Sequence, residues 1–150
     1  DGLFICNFFG GETLKELRQI FMEADKNAIS PRISPFIDIR DAGKLLQRAG
    51  FALPVVDLDR IEVTYDDIYA LMKHLKKIGE NNALLRRKRT FTGKKFMENA
   101  AELYKERFSD HEGRIIATFE IITIAGYKPA AVQQKPLKPG SGKISLSDVL

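Results

Sequence analysis

The sequence predicts a mixed α/β fold, one that over this length reads as α+β, and three observations carry that reading. LFICNFF near the start and IIATFEIITIAGY near the end are apolar runs of strand character. Between them lie four stretches with apolar residues at helical spacing, bounded by Gly, Pro or capping residues. Strand, glycine turn and helix also follow one another directly in LFICNFFGGETLKEL, the order of an α/β unit.

Taken in order, Leu3 to Cys6 show no alternation, which suits a strand buried on both faces, although nothing precedes it in the chain to supply one neighbour. Thr13 and Glu16 are spaced as a capping box, and Leu14, Leu17, Phe21 and Ala24 then share one helical face, with Glu16 outside it. The prolines of SPRISPF force an extended connection. In DIRDAGKLLQRAGF, Asp41 is the expected N-cap, Leu45 and Leu46 the core-facing pair, and Gly50 the left-handed terminator. Ile61, Val63 and Tyr65 alternate with Glu62 and Thr64, giving an edge strand with one wet face and Pro54 at its entry. Ile68, Leu71, Met72 and Leu75 form the stripe of a helix stopped by Gly79. Thr92 is the expected cap of another helix, which buries Phe96, Ala100, Leu103 and Tyr104. GRIIATFEIITIAGYKP is read as the longest strand and as central in the sheet, because its second half is apolar on both faces. The domain is assigned to 1–129, and 130–150, rich in Pro, Gly, Lys and Gln, is read as a flexible tail.

At 150 residues, 44% hydrophobic and 29% charged, the chain is long enough for one domain with a core. No apolar run approaches the ~20 residues of a membrane helix. The chain opens on Asp1 without a signal-peptide pattern, which suggests a processed, excised or truncated product. Cys6 alone excludes an internal disulfide, fits a reducing compartment, and reads as a small buried hydrophobe rather than a nucleophile. The net charge of +4 is concentrated in LRRKRTFTGKK, where Arg86, Arg87, Lys88, Arg89, Lys94 and Lys95 make either a solvated loop or an attractant for RNA, anionic membrane or an acidic protein. Phe91 is the one aromatic in that run, so a base-stacking platform has little support.

Few residues offer chemistry of their own. Gly10-Gly11 sits where strand-to-helix turns hold anions, yet the further glycines and downstream acid of a dinucleotide loop are missing, so it reads as a tight turn. His74 and His111 have no companion at ligand spacing, so no metal site is expected, and no serine occupies a strand-to-helix elbow. Asn81 and Asn82, just after Gly79, place two carboxamides where a substrate can be hydrogen-bonded, or fill a helix terminus. No catalytic residue is assigned.

FFGGETLKELR, ISPFIDIRDAGKLLQRAGF, VDLDRIEVTYDDIYALMKHLKKIGENNAL and GRIIATFEIITIAGYKP together resemble the C-terminal half of the class I, Rossmann-like methyltransferase-fold family. Within it the likeness is to the branch of mitochondrial complex I assembly factors acting as arginine hydroxylases and their bacterial relatives. It is more distant to the malonyl-carrier-protein methyltransferases of biotin synthesis. The resemblance implies strands 5, 7 and 6 of that fold in the order 5-7-6, with strand 7 antiparallel and a helical insertion added. It also implies that the cofactor half lies outside this chain. S-adenosylmethionine is then the cofactor of the complete protein, with none expected on this chain alone.

By position, the resemblance makes Phe8, Phe9, Gly10 and Gly11 the border of a substrate cleft. Tyr65, Asn81, Asn82 and Arg87 belong to its covering side. Phe9 and Tyr65 are then walls, the asparagines hydrogen-bonding groups, and Arg87 a charge complement. The implied function is the substrate-side portion of a methyltransferase or of an arginine hydroxylase acting in complex I assembly. A non-enzymatic basic binding module is the rival. Implied partners are the missing N-terminal half, a protein substrate and, for the isolated chain, a second copy paired through the first strand. The implied location is cytoplasmic in a bacterium or the mitochondrial matrix in a eukaryote.

Overall fold

A computed structural model of the chain describes residues 2–25, 32–85, 87, 92–130 and 141. Among them are strands β1 (Leu3–Phe9), β2 (Ala52–Tyr65) and β3 (Ile115–Tyr127), and helices α1 (Lys15–Ala24), α2 (Ile39–Arg48), α3 (Ile68–Lys77) and α4 (Lys94–Arg107). The sheet order is β1-β3-β2, with β3 antiparallel to both neighbours. That is the arrangement the resemblance implies: a mixed α/β fold whose last strand runs centrally against two parallel ones. β2, at 14 residues, is one residue longer than β3, because a bulge between Ala52 and Val55, with Leu53 at φ 49°, extends its entry. Among the described residues no helix is long and apolar enough to cross a membrane. The expected tail, 130–150, lies outside the described residues except for Ala130 and Ser141.

Two cores sit on the sheet. The larger packs Leu14, Leu17, Ile20 and Phe21 of the α1 region with Ile68, Leu71 and Leu75 of α3, Ala100 and Tyr104 of α4, and Ile115, Ala117 and Phe119 of β3. The smaller packs Ala42 and Leu46 of α2 on Ile122 and Ile124, with Cys6 and Phe8 beside them. Alternation along a strand sends 115, 117 and 119 to one face and 122 and 124 to the other. The helices therefore cover β3 on a diagonal.

Several local expectations change. Asp38, not Asp41, caps α2, its side chain accepting from the Arg40 N–H at 2.8 Å. Leu46 is buried but Leu45 is exposed, because the start at Ile39 turns Leu45 off the sheet side. Gly93 rather than Thr92 is the N-cap of α4; the Thr92 hydroxyl instead accepts from Arg32 at 3.3 Å. Phe96 and Leu103 pack at the rim of the core, while Ala100 and Tyr104 are buried. Met72 is exposed. Gly50 and Gly79 have the expected positive φ, 76° and 84°, past the ends of α2 and α3. β1 is not buried on both faces: Leu3, Phe4 and Ile5 are exposed, since no described element packs outside it.

Candidate functional site

The site is organised by the turn after β1. Residues 10–14 continue along the edge of β3 where β1 has ended: the Gly10 N–H donates to the Glu120 carbonyl and the Leu14 N–H to the Thr118 carbonyl, both at 2.7 Å. The capping box does not form. The Thr13 hydroxyl donates to the Glu120 carbonyl at 3.1 Å and accepts from the Glu120 N–H at 3.0 Å. Glu16 is buried, its carboxylate accepting from the Thr118 N–H at 3.0 Å and from the Thr118 hydroxyl. Both side chains have left the helix terminus to satisfy the backbone of β3, and α1 starts from Leu14 at φ 56° without a side-chain cap. A buried non-glycine residue in the left-handed region costs about 1–3 kcal/mol and persists only where its surroundings fix it. Burial pushes the Tyr104 phenol well above its ordinary range, and the nearby Glu16 charge adds to the shift.

Gly10 meets a carboxylate. A Cβ built on it falls 2.5 Å from Glu120 Oε1 and 2.9 Å from Glu120 Cγ. The space that a phosphate cradle needs is held by negative charge, which agrees with the reading of Gly10-Gly11 as a turn. Among the described residues no cluster of His, Cys, Asp or Glu suits a metal ion.

Three hollows adjoin one another beside this turn. A cleft of about 620 Å³ is lined by Asn7, Phe8, Phe9, Phe36, Ile37 and Glu80, among others. Phe9 meets Phe36 edge-on at 6.0 Å. Phe36 and Glu80 also line a second hollow, of about 190 Å³, which contains Arg32, Lys76, Asn81 and Asn82. Arg32 and Asn82 continue into a third, of about 410 Å³, with Arg87, Phe96 and Met97. Shared walls set the three side by side, as a row of hollows from the end of β1 along 32–37 to Arg87, called the groove below.

The groove brings together Phe9, Asn81, Asn82 and Arg87, with Gly10 and Gly11 in the turn at its head. Asn82 Oδ1 accepts from the Leu84 N–H at 3.0 Å, and Arg87 Nη1 donates to the Leu84 carbonyl at 2.9 Å, so the 80s loop is self-braced. Tyr65 stands apart. It pairs with Ile115 where Phe9 pairs with Ile121, a separation of roughly 20 Å along β3 at strand rise. Its hydroxyl meets His74 Nδ1 at 2.5 Å, and burial raises its pKa. Of the basic run, Arg86, Lys88 and Arg89 lie outside the described residues.

Sequence reasoning missed Arg32, Phe36 and Glu80. Arg32 pairs with Asp25 at 3.1 Å and lies 4.0 Å over the Phe96 ring, tying the 32–37 segment to the ends of α1 and α4. Glu80 is half-buried, and its carboxylate has no ion-pair or hydrogen-bond partner among the described residues. The proline-bounded SPRISPF was the available signal for the first two. For Glu80 no local pattern marks the residue.

No family model matches the chain. It is 38% identical over 99% of its length to the mitochondrial arginine-hydroxylase NDUFAF5 of Dictyostelium discoideum, covering 35% of that protein. It is 38% identical over 99% of its length to the protein of the same name from Homo sapiens, covering 44%. Over 93% of its length it is 39% identical to the malonyl-[acyl-carrier protein] O-methyltransferase of Laribacter hongkongensis, covering 46%. The chain thus spans less than half the length of these relatives. It is a homologue of methyltransferase-fold enzymes.

Proposed function

We propose that this homologue of methyltransferase-fold enzymes is the substrate-side, C-terminal portion of an S-adenosylmethionine-dependent enzyme whose cofactor is held by protein outside this chain. One observation carries the reading: a row of adjoining hollows opens at the carboxyl end of β1, between the 32–37 segment and the 80s loop. Open α/β sheets take ligands at the carboxyl ends of their strands. The cofactor supplies the group or electron chemistry when bound. This chain contributes the aromatic wall of Phe9 and Phe36, the carboxamides of Asn81 and Asn82, and Arg87 at the far end. Gly10 and Gly11 form the rim. The apolar outer edge of β1 is where the rest of the protein attaches, and in an isolated chain a second copy takes that place. The location in this reading is the mitochondrial matrix in a eukaryote and the cytoplasm in a bacterium; the eukaryotic relatives are mitochondrial by name.

Glu80 favours the arginine-hydroxylase branch over carboxyl methylation. A half-buried carboxylate beside Phe36, at the join of two hollows, complements a guanidinium, and Arg32 in the same lining is already paired with Asp25. Binding of an arginine-containing peptide and of a malonyl thioester to the full-length gene product tests this. Glu80→Gln is expected to weaken the arginine peptide about tenfold, the scale of one charge-assisted hydrogen bond, and to leave S-adenosylmethionine affinity unchanged. An equal loss for a citrulline peptide, which is neutral, overturns the cationic reading. Salt-sensitive RNA binding without any response to S-adenosylmethionine favours the basic module instead.

A further inference from the structure

Glu120 belongs to the central strand, yet its carboxylate is spent on the turn at the head of the groove. It is buried in the middle of β3, with Oε2 on Arg60 Nη2 at 3.1 Å and Oε1 receiving the Glu12 N–H at 3.4 Å. The same Oε1 fills the space beside Gly10 that a side chain would otherwise take. Its backbone N–H and carbonyl are both engaged by the Thr13 hydroxyl, and its carbonyl also receives the Gly10 N–H. Every polar group of this residue therefore contacts either residues 10–13 or Arg60. Arg60 lies on β2, two strands away from β1, with its side chain half-exposed.

We propose that Glu120 is a positioning residue for the groove. It sets the conformation of residues 10–14 by packing against Gly10 and accepting from Glu12, and Arg60 holds its carboxylate in the rotamer that does so. The functional weight of this rests on the groove being the substrate site; the coupling between the residues does not. Gly10 is required because the Glu120 side chain, and behind it Ile122 Cδ1, crowd the place a Cβ would take. Leu14 keeps its left-handed conformation because both ends of its turn are fixed to β3. A perturbation at the outer strand β2 is thereby transmitted across the sheet to the rim of the groove.

The test is a double-mutant cycle on the full-length gene product, read by hydrogen–deuterium exchange of the 9–14 segment with the 94–107 helix as internal control. Glu120→Ala and Gly10→Ala are each expected to speed exchange of 9–14 about tenfold while leaving 94–107 unchanged. Combined, they are expected to do clearly less than the two effects added, since removing the carboxylate clears the nearest atoms that meet the new methyl and leaves only Ile122 Cδ1, at 3.0 Å. Glu120→Gln, which keeps the acceptor for Glu12, is expected to stay within about threefold of wild type. Arg60→Ala removes a half-exposed group and folds whatever Glu120→Ala does; it is expected to speed the turn about threefold. Additive singles, an unchanged turn in Arg60→Ala, or equal acceleration of 94–107 overturns the proposal. Binding of N-acetyl-arginine amide, measured on the same variants, reads the functional half. If wild type does not bind that probe, the arginine reading fails while the exchange cycle still decides the role of Glu120.

Discussion

The helix-facing side of β3 changes character halfway along. Ile115, Ala117 and Phe119 are buried under α1, α3 and α4, whereas Ile121, Thr123 and Ala125 are half-exposed and Tyr127 is exposed. The residues paired with this second half are apolar and open: Leu3 is 55% exposed, Ile5 59% and Val55 58%. The two outer strands differ as well. β2 carries Asp57, Asp59, Arg60 and Glu62 along its exposed length, with Pro54 and a bulge at its entry, which are ordinary protections of a sheet edge. β1 has none of these in Leu3 to Cys6. Its open quarter is composed like the core that the other half already has. The sheet is patterned for cover on both faces, and the described helices supply it on one diagonal.

The largest effect expected separates the two halves of the strand. Phe119→Ala, in the covered half, should cost about 3–5 kcal/mol by chemical denaturation, the usual loss for an aromatic removed from a core. Ile5→Ala, in the open half of the same chain, should stay within about 0.5 kcal/mol, as at ordinary surface positions. Similar losses at both positions would mean that the open quarter is already covered.

Association sharpens the same comparison. Fully burying one exposed Ile or Leu is worth about 1.5–3 kcal/mol, so Leu3 and Ile5 together supply a drive for two copies of the isolated chain to meet at β1. Sedimentation of the isolated chain should show a dimer whose population rises with concentration. Ile5→Lys should return it to monomer with a small loss of stability, because Ile5 is 59% exposed in the fold. A folded wild-type monomer at high concentration would show that the edge is covered by other means.

Much of this was legible in the sequence, for reasons visible in particular residues. The strand–turn–helix start, the central place of IIATFEIITIAGY and the glycines ending α2 and α3 follow from periodicity and backbone stereochemistry, which are local. Thr13 and Glu16 were misread because their spacing satisfies a local motif while the backbone of β3, more than a hundred residues away in sequence, competes for the same groups and wins. The exposure of Leu3 to Ile5 was hidden for a related reason: apolar sequence states what a strand is suited to, and burial needs a neighbour to deliver it. In the site, Phe9, Asn81, Asn82 and Arg87, grouped by the resemblance, line adjoining hollows. Glu80 and Arg32 were invisible because their roles depend on 32–37 lying across the end of the sheet. Tyr65 was placed with the others by its strand end, but β2 runs six pairs further along β3 than β1 does, from Ile121 to Ile115.

The smallest effect expected lies again in the covered half, where Tyr104 is fully buried and donates to the Ile116 carbonyl at 2.9 Å. Burial first, and the Glu16 charge second, raise its pKa above the ordinary value of 10.0. The folded chain therefore keeps the proton through a range in which the unfolded chain releases it. That contribution is complete below pH 10 and is lost as the pH rises beyond it, because ionisation then stabilises only the unfolded state. One such group accounts for about 1 kcal/mol of lost stability between pH 10 and 11. Tyr104→Phe should cost about 1 kcal/mol at neutral pH, since it strands the Ile116 carbonyl, and should then lose less than wild type on the alkaline side. Denaturation midpoints measured from pH 8 to 11 for both chains check this. Parallel curves would mean that the phenol reaches water, and that the cover over Ile115, Ala117 and Phe119 is looser than its contrast with the open half requires.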